Sequence, residues 1–324
     1  MRSCILLAVL AALLALAVAC NSGGSGGTPG QGGPDVFFDC DAPPSPTPPD
    51  AAAFPVSVTD SVGNTVDLAA PPQRIASLSA GHSEILYAIG AGDQIVAVDL
   101  TSDCPQATDK LPRENAFSPS VETIASVEPD LVIVFFDPGD LQSSLQDVGI
   151  PVLNLAAPDS VQGVYDQMAL LGKATGHSEE AERVAGEMKK AVEEVRSRLK
   201  DVPEAPTVFH EIDTKYFSAG SGTFIGDLYG MLGAANIADA TGEAYPQMSA
   251  EAIIQADPDV IVLADEDAGE SLETVKARPG WGSVSAVKND RIYVIDTDIV
   301  SRPGPRLVEA LRTLAGYLYP ELFQ

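Results

Sequence analysis

The sequence has few basic residues, few cysteines and a single tryptophan. Lysine and arginine together number 19 against 46 aspartates and glutamates, which gives a formal net charge of −27 at pH 7. Because a nucleic-acid-binding protein needs a basic surface to neutralise phosphates, this composition argues against that class. No His-x-x-x-His, Cys-x-x-Cys or P-loop motif occurs. The sequence therefore offers no pattern typical of a bare metal site or of a nucleotide site.

The first residues predict export. A basic start is followed by an apolar run over residues 5–18 and by small residues before Cys20, which predicts a signal peptide over 1–19. The run is shorter than the roughly 20 residues that span a bilayer. The segment 17–20, Ala-Val-Ala-Cys, resembles the lipobox of bacterial lipoproteins, although leucine is commoner at its first position. The resemblance implies a lipid on Cys20 and an extracytoplasmic protein anchored to the cell membrane; an ordinary signal peptide is the alternative.

A tether is predicted over residues 20–54. Residues 21–34 are mostly glycine, serine and proline, and residues 42–50 are rich in proline. This composition predicts a flexible linker followed by a stiffer spacer. Once the signal peptide and the lipidated cysteine are set aside, Cys40 and Cys104 remain. In an oxidising compartment these two thiols predict one disulfide that fixes the tether to the first lobe; two free thiols are the alternative.

An internal repeat predicts the architecture. The pattern Ser-x-Glu-x-Ile, followed by Pro-Asp and a run of valine, isoleucine and leucine, occurs at 120–134 and again at 249–263. Serine is a good helix N-cap, glutamate suits the first turn, and proline ends the helix. The β-branched run is typical of a strand buried on both faces of a parallel sheet. A looser pair, 85–91 and 228–234, adds an earlier helix to each copy.

The chain between the copies predicts one long helix over 178–201, with an apolar residue every three or four positions and no proline. Its length would be about 36 Å. The predicted fold class is therefore α/β, with two Rossmann-like α/β lobes joined by one long backbone helix, and large hinge closure is not expected. The predicted divisions are an N-terminal lobe at 55–157, connecting helices at 158–202 and a C-terminal lobe at 203–324.

Together these features resemble the periplasmic binding proteins that serve ABC importers of cobalamin, ferric siderophores and haem, in the class with a helical backbone between the lobes. The resemblance covers roughly residues 55–320. Its N-terminal signature is carried by Phe54–Asp60, Pro72–Ile75, Glu84–Leu86 and Gly90–Asp93. It implies a monomeric binding protein, not an enzyme, with no cofactor or bound metal of its own, which delivers a large ligand to a dimeric permease.

The repeated glutamates, Glu122 and Glu251, fall at the positions of this family's docking carboxylates. The resemblance implies that each projects from one lobe and meets arginines of the permease. Two acidic residues at equivalent points of two related lobes can address two symmetric partners. The alternative is helix capping alone.

The ligand is expected between the lobes, beside the loops that follow the strands. Those loops contain four candidate ligand-binding residues: His82, Thr101, Phe117 and Tyr216. Resemblance to the cobalamin-binding branch implies four more: Phe135, Tyr245, Asp298 and Arg302. Most tryptophans expected in that branch are absent from this chain, and a plain core role for Phe135 is an alternative.

These residues predict a corrinoid ligand. Aromatic walls suit a flat macrocycle, and the shortage of arginines favours a neutral or cationic corrinoid over an anionic chelate. A ferric siderophore or haem is the alternative, with His82, His210 and Met248 left open as metal ligands. A secreted hydrolase and a membrane-tethered adhesin are more distant alternatives.

Overall fold

A computed structural model describes residues 37–323 of the chain. The predicted signal peptide (1–19), the lipidation site Cys20 and the tether up to residue 36 lie outside the described residues. The described residues belong to one compact unit. Within residues 37–323, none of the helices is both long and apolar enough to cross a membrane.

Lobe 1 is built on a parallel five-stranded sheet, preceded by an antiparallel hairpin. The strand order in the sheet is β5-β4-β3-β6-β7, and its central strands are buried along their whole length. The strands are β1 (Val56–Thr59), β2 (Thr65–Leu68), β3 (Ile75–Leu78), β4 (Ile95–Asp99), β5 (Arg113–Glu114), β6 (Leu131–Val134) and β7 (Val152–Asn154). The helices are α1 (Ala80–Ala88), α2 (Val121–Ser126) and α3 (Leu141–Asp147).

Two antiparallel neighbours, α4 (Val161–Thr175) and α5 (Ser178–Arg198), connect the lobes. Helix α5 has 21 residues and a length of about 32 Å; it ends at Arg198, three residues before the predicted end. The largest apolar cluster runs from lobe 1 through both connecting helices into lobe 2. The lobes therefore share a continuous core.

Lobe 2 is built on a parallel four-stranded sheet with strand order β11-β10-β8-β9. The strands are β8 (Thr207–Glu211), β9 (Ala235–Asn236), β10 (Val260–Leu263) and β11 (Ile292–Val294). The helices are α6 (Phe224–Met231), α7 (Ala250–Ala256), α8 (Leu272–Ala277), α9 (Ser285–Lys288), α10 (Thr297–Ser301) and α11 (Leu307–Leu318). A second apolar cluster fills the outer side of this sheet, as a third does in lobe 1.

The sequence repeat forms the same local structure in each lobe. Ser120 and Ser249 cap α2 and α7, and each accepts a hydrogen bond from a backbone N–H of the first turn at 3.1 Å. The aspartate after each proline binds the start of the lobe's first sheet strand: Asp130 accepts from the Arg74 N–H at 2.9 Å, and Asp259 accepts from the Thr207 N–H at 2.9 Å. The repeat thus specifies a capped helix together with a strand-to-strand anchor.

The segment 37–54, expected as a spacer, is packed against lobe 1. The Phe38 side chain is buried, and Cys40 is bonded to Cys104. Thr47 donates its backbone N–H to the Gly90 carbonyl at 3.0 Å. Gly90 has a φ of +85°, and a Cβ there would lie 2.5 Å from the Thr47 hydroxyl. Only glycine therefore allows the segment to approach this closely.

Candidate ligand-binding cleft

A cavity of about 200 Å³ lies where the two lobes meet, at the carboxyl ends of the lobe 1 strands. We refer to it as the cleft cavity. Five of the predicted ligand-binding residues line it: His82, Thr101, Phe117, Phe135 and Arg302. The other lining residues are Ser79, Ala80, Gly81, Asp99, Ala157, Pro158, Ser301 and Pro303.

Phe117 and Phe135 form the aromatic wall of the cleft cavity, and Phe136, which does not line it, packs against both rings. The ring of Phe117 lies 5.7 Å from that of Phe135 and 5.5 Å from that of Phe136, between centroids, and the latter two rings are 4.6 Å apart. Phe117 is 70% exposed, whereas Phe135 is half-buried and also packs on the lobe 1 core. An exposed aromatic ring supported by two others is typical of a surface that binds an apolar ligand.

His82 is buried, with 2% of its surface exposed, and its two ring nitrogens have different hydrogen-bond environments. The amide nitrogen of Gln167 donates to the Ala156 carbonyl at 2.5 Å, so the amide oxygen faces His82 and accepts from Nε2–H at 3.1 Å. Nδ1 then carries a lone pair and has no hydrogen-bond partner among the described residues. Burial lowers the pKa of His82 to about 4, although the hydrogen bond to the Gln167 oxygen raises it in part. The ring is therefore neutral at neutral pH.

Arg302 is surrounded by carboxylates from both lobes. Its guanidinium contacts Asp103 of lobe 1 at 2.5 Å and Asp298 of lobe 2 at 2.6 Å. Glu84 on α1 lies 3.7 Å away. The Arg302 side chain is 13% exposed. The predicted pair Asp298 and Arg302 therefore does occur, with the carboxylate bound to the guanidinium.

A second ion pair, between Glu84 of lobe 1 and Arg306 of lobe 2, also joins the lobes. The Glu84 carboxylate is fully buried and accepts two hydrogen bonds from Arg306, at 3.0 Å and 2.6 Å. Burial raises the pKa of Glu84, and the hydrogen bonds and charge of Arg306 counteract this shift. At Gly81 a Cβ would lie 3.0 Å from the Pro303 carbonyl oxygen, so the two backbones are in close contact here.

Two predicted ligand-binding residues, Tyr216 and Tyr245, are not among the residues that line the cleft cavity. The Tyr216 ring lies 5.6 Å from that of Trp281, and the Arg278 guanidinium covers it at 5.1 Å. Tyr245 is 59% exposed. Asp298 does not line the cavity either and reaches it only through Arg302.

Two of the residues left open as metal ligands lie inside lobe 2. His210 is fully buried on β8, and its Nδ1 lies 2.8 Å from the Tyr229 hydroxyl. Met248 is buried in the outer cluster of that lobe. Neither lines the cleft cavity, so neither lies where it could coordinate a metal of a ligand bound there.

A buried carboxylate group closes the end of β8. Glu211 is fully buried and binds Arg278 at 2.6 Å. Burial and the charge of Glu211 raise the pKa of Asp265 to about 7. With both groups ionised the buried oxygens of Asp265 have no donor among the described residues, and with Asp265 protonated it donates to Glu211. No cluster of histidine, cysteine, aspartate or glutamate that could bind a metal was found between residues 37 and 323.

The interlobe contacts were not identified from the sequence. The ion pairs of Asp103 and Glu84 were not predicted, because their partners lie about two hundred positions away in the chain. A glutamate in the middle of an otherwise apolar helix was the available signal, since such a group is rarely buried without a partner.

The chain is similar to known binding proteins over most of its length. A family model described as periplasmic binding protein matches residues 75–299. An uncharacterised ABC transporter substrate-binding lipoprotein of Bacillus subtilis is 33% identical over 280 residues, 84% of this chain and 88% of that protein. A cobalamin-binding protein of Halobacterium salinarum is 27% identical over 278 residues, 82% of this chain and 74% of that protein.

A solved structure described as a possible iron-binding, periplasmic solute-binding protein of Staphylococcus epidermidis superposes with a TM-score of 0.69. It is 31% identical and covers 76% of this chain and 99% of its own. These relatives are extracytoplasmic transport proteins and not enzymes, which confirms the predicted class. The α/β fold of two lobes is confirmed as well. The chain belongs to the periplasmic binding protein family, in the group of ABC-importer substrate-binding proteins for cobalamin, siderophores and haem.

Proposed function

We propose that this protein captures a corrinoid in the cleft between its lobes and delivers it to the permease of an ABC importer. The observation that carries the proposal is the aromatic wall of Phe117 and Phe135 on the cleft cavity, supported by the ring of Phe136. A similar protein is named for cobalamin binding. Flat aromatic rings bury a macrocycle face at a small cost in conformational entropy.

The size of the cleft cavity limits how such a ligand fits. Ligand pockets commonly measure about 300–1,000 Å³, and this cavity is smaller, at about 200 Å³. A corrinoid would therefore fill the cavity with one side and extend into the open cleft over the exposed ring of Phe117. In that position it contacts both lobes, and the Thr101 hydroxyl offers it a hydrogen-bonding group, whereas His82 lines the cavity with a buried ring. We retain Tyr216 and Tyr245 as proposed contacts for its outer parts.

An iron chelate is the second candidate. The similar solved structure is described as a possible iron-binding protein, and the unpartnered Nδ1 lone pair of His82 is a chemically suitable metal ligand. Direct coordination would need the chelate to reach the buried ring. The exposed aromatic wall favours the corrinoid.

Permease docking is proposed for Glu122 and Glu251. Both side chains are exposed in the first turn of α2 and α7, the two helices formed by the repeat. Neither carboxylate makes an ion pair or hydrogen bond with the residues at 37–323. The preceding serines supply the side-chain caps, and the glutamates add a favourable charge to the first turn of each helix. Free, equivalent carboxylates can bind basic residues of a symmetric partner.

The membrane attachment is proposed as well. A lipid on Cys20 would join the protein to the membrane through the residues that precede the packed segment 37–54. The similar Bacillus protein is named a lipoprotein. Mass spectrometry of protein from membranes tests this directly, because a diacylated N-terminal cysteine adds the mass of two acyl chains.

Calorimetric titration of the mature protein tests the ligand. Cyanocobalamin, a ferric hydroxamate and haemin are added separately. We expect saturable one-to-one binding of cyanocobalamin with a Kd of about 1 μM or tighter. Binding of haemin or the ferric hydroxamate with cyanocobalamin inactive would overturn the corrinoid assignment and support the iron-chelate candidate.

A further inference from the structure

We infer that the cleft accepts neutral or cationic ligands and excludes anionic chelates, because carboxylates of both lobes already neutralise the arginine that lines it. This inference rests on the proposed function only in taking the cleft cavity as the ligand site. It names the charge of the ligand and identifies Asp103 as a specificity-determining residue.

Among the described residues that line the cleft cavity, Arg302 is the only lysine or arginine. It contacts Asp103 at 2.5 Å and Asp298 at 2.6 Å, with Glu84 at 3.7 Å. The two aspartates contact both terminal nitrogens of the guanidinium, Nη1 and Nη2. An anionic ligand would therefore have to share these nitrogens with two carboxylates or displace one of them, and both carboxylates would repel its charge.

The remaining charges around the cavity do not supply another cation. Arg306 is held by Glu84 through two hydrogen bonds. Arg113 binds Asp109 at 2.9 Å and donates to the Ser102 carbonyl at 2.8 Å. His82 is neutral because burial lowers its pKa to about 4.

Additional negative charge lies on the cavity surface itself. Asp99 lines the cavity and is buried; its carboxylate accepts from the Thr101 N–H at 2.8 Å and from the Ala116 N–H at 3.3 Å. No basic side chain contacts it within residues 37–323. With Asp103 and Asp298 sharing one arginine, the cleft carries more negative than positive charge. A partly buried site of this kind repels anions, and salt weakens the repulsion only in part.

Asp103 is the residue through which lobe 1 neutralises Arg302. It lies in the loop after β4, next to the disulfide-bonded Cys104, and is exposed over 59% of its side chain. Asp109, in the same loop, is a matched control because its side chain is 62% exposed and pairs with Arg113, which does not line the cavity. Substituting Asp103 by asparagine removes one negative charge and frees a face of Arg302.

The test uses three probes: neutral cyanocobalamin, cationic ferrioxamine B and anionic ferric enterobactin. Each is titrated into the wild type, Asp103→Asn and Asp109→Asn at low salt and at about 1 M NaCl. We expect the anionic chelate to bind the wild type at least about tenfold more weakly than the better of the other two. Asp103→Asn should strengthen anionic binding by about tenfold and weaken cationic binding, with a smaller difference at high salt. Asp109→Asn should match the wild type.

The outcomes separate this inference from the corrinoid proposal. If ferrioxamine B binds and cyanocobalamin does not, the corrinoid assignment fails and the charge selection stands. If ferric enterobactin binds the wild type as tightly as the better neutral or cationic probe, or if Asp103→Asn leaves its affinity unchanged, the charge selection is wrong whatever the status of cobalamin. If no probe binds, both proposals are overturned. Asp298→Asn provides a second variant with the same expected direction.

Discussion

The two lobes share their helix-and-strand repeat but differ at the cleft. In both, a serine-capped helix carries an exposed glutamate, and an aspartate anchors the next strand to the first. At the cleft, lobe 1 supplies most of the cavity lining, including the aromatic wall. In lobe 2 the corresponding end of β8 is closed by the Glu211–Arg278 ion pair, with Tyr216 stacked beneath it.

Under the proposed function, this difference assigns a partner to each part of the chain. A dimeric permease would present two equivalent surfaces, which suits the surface that is repeated in the two lobes. A small ligand has no such symmetry, and the residues proposed to bind it come mostly from one lobe. Variants that change one lobe, both lobes, or the contact between the lobes therefore test this comparison.

The largest effect is expected from reversing both repeated glutamates, Glu122→Arg and Glu251→Arg. Ligand uptake by cells that carry the permease should be abolished, since two attractive contacts become repulsive. Ligand binding by the purified protein should not change. Glu273→Arg is the control, because Glu273 is an exposed first-turn glutamate outside the repeat. Normal uptake by the double variant would disprove the docking role.

The next effect is on stability, and it distinguishes a contact between lobes from one within a lobe. Glu84→Ala and Glu211→Ala each remove a fully buried carboxylate from an arginine. Glu84→Ala should lower the free energy of unfolding by about 3–5 kcal/mol, because the Arg306 charge remains buried without a partner. Glu211→Ala should cost less, because Arg278 keeps its ion pair with Glu270 at 2.6 Å. Only Glu84→Ala should also speed ligand dissociation, since Glu84 joins the lobes. Arg183→Ala, at an exposed pair, should cost at most about 1 kcal/mol in urea denaturation.

The disulfide joins lobe 1 to the segment 37–54 that packs on it. Cys40 and Cys104 are separated by 64 positions, and closing a loop of this length stabilises a fold by roughly 2–4 kcal/mol. Replacing both by serine should lower the free energy of unfolding by that amount. If denaturation midpoints of the double variant and the oxidised wild type coincide, the packed segment contributes without the bond.

The pH dependence involves one buried histidine in each lobe. Burial lowers the pKa of His82 and His210 from 6.5 to about 4. Between these values the unfolded chain binds protons that the folded protein does not, so stability is present above pH 6.5 and is lost as the pH falls. At pH 5 each histidine should cost about 2 kcal/mol relative to pH 7. His82→Gln and His210→Gln should each flatten the measured dependence; unchanged slopes would contradict the assignment.

The sequence predicted the elements whose signals are local. Serine, proline and the β-branched run are enough to form α2 with β6, and α7 with β10, because capping and burial act within a few residues. The long helix was predicted for the same reason, although it ends at Arg198 and not at residue 201 as predicted.

Contacts between distant residues could not be predicted. The proline-rich spacer packs on lobe 1 because Gly90 leaves room for it, a condition that composition does not contain. The neutralisation of Arg302 depends on Asp103, 199 positions earlier. His210 is buried because β8 lies between β10 and β9 in the sheet, and which face of the strand it occupies depends on how the sheet packs.

Titration of cyanocobalamin into the wild type and Phe117→Ala tests the central claim most directly. Phe117 is 70% exposed, so its loss should leave the fold stable. The corrinoid proposal predicts one-to-one binding to the wild type and about tenfold weaker binding to the variant, since a stacked ring contributes roughly 0.5–1.5 kcal/mol beyond its buried area. Val148→Ala, at another exposed apolar residue, should bind like the wild type. Absence of binding to the wild type, or equal affinity for Phe117→Ala, would contradict the proposed corrinoid site.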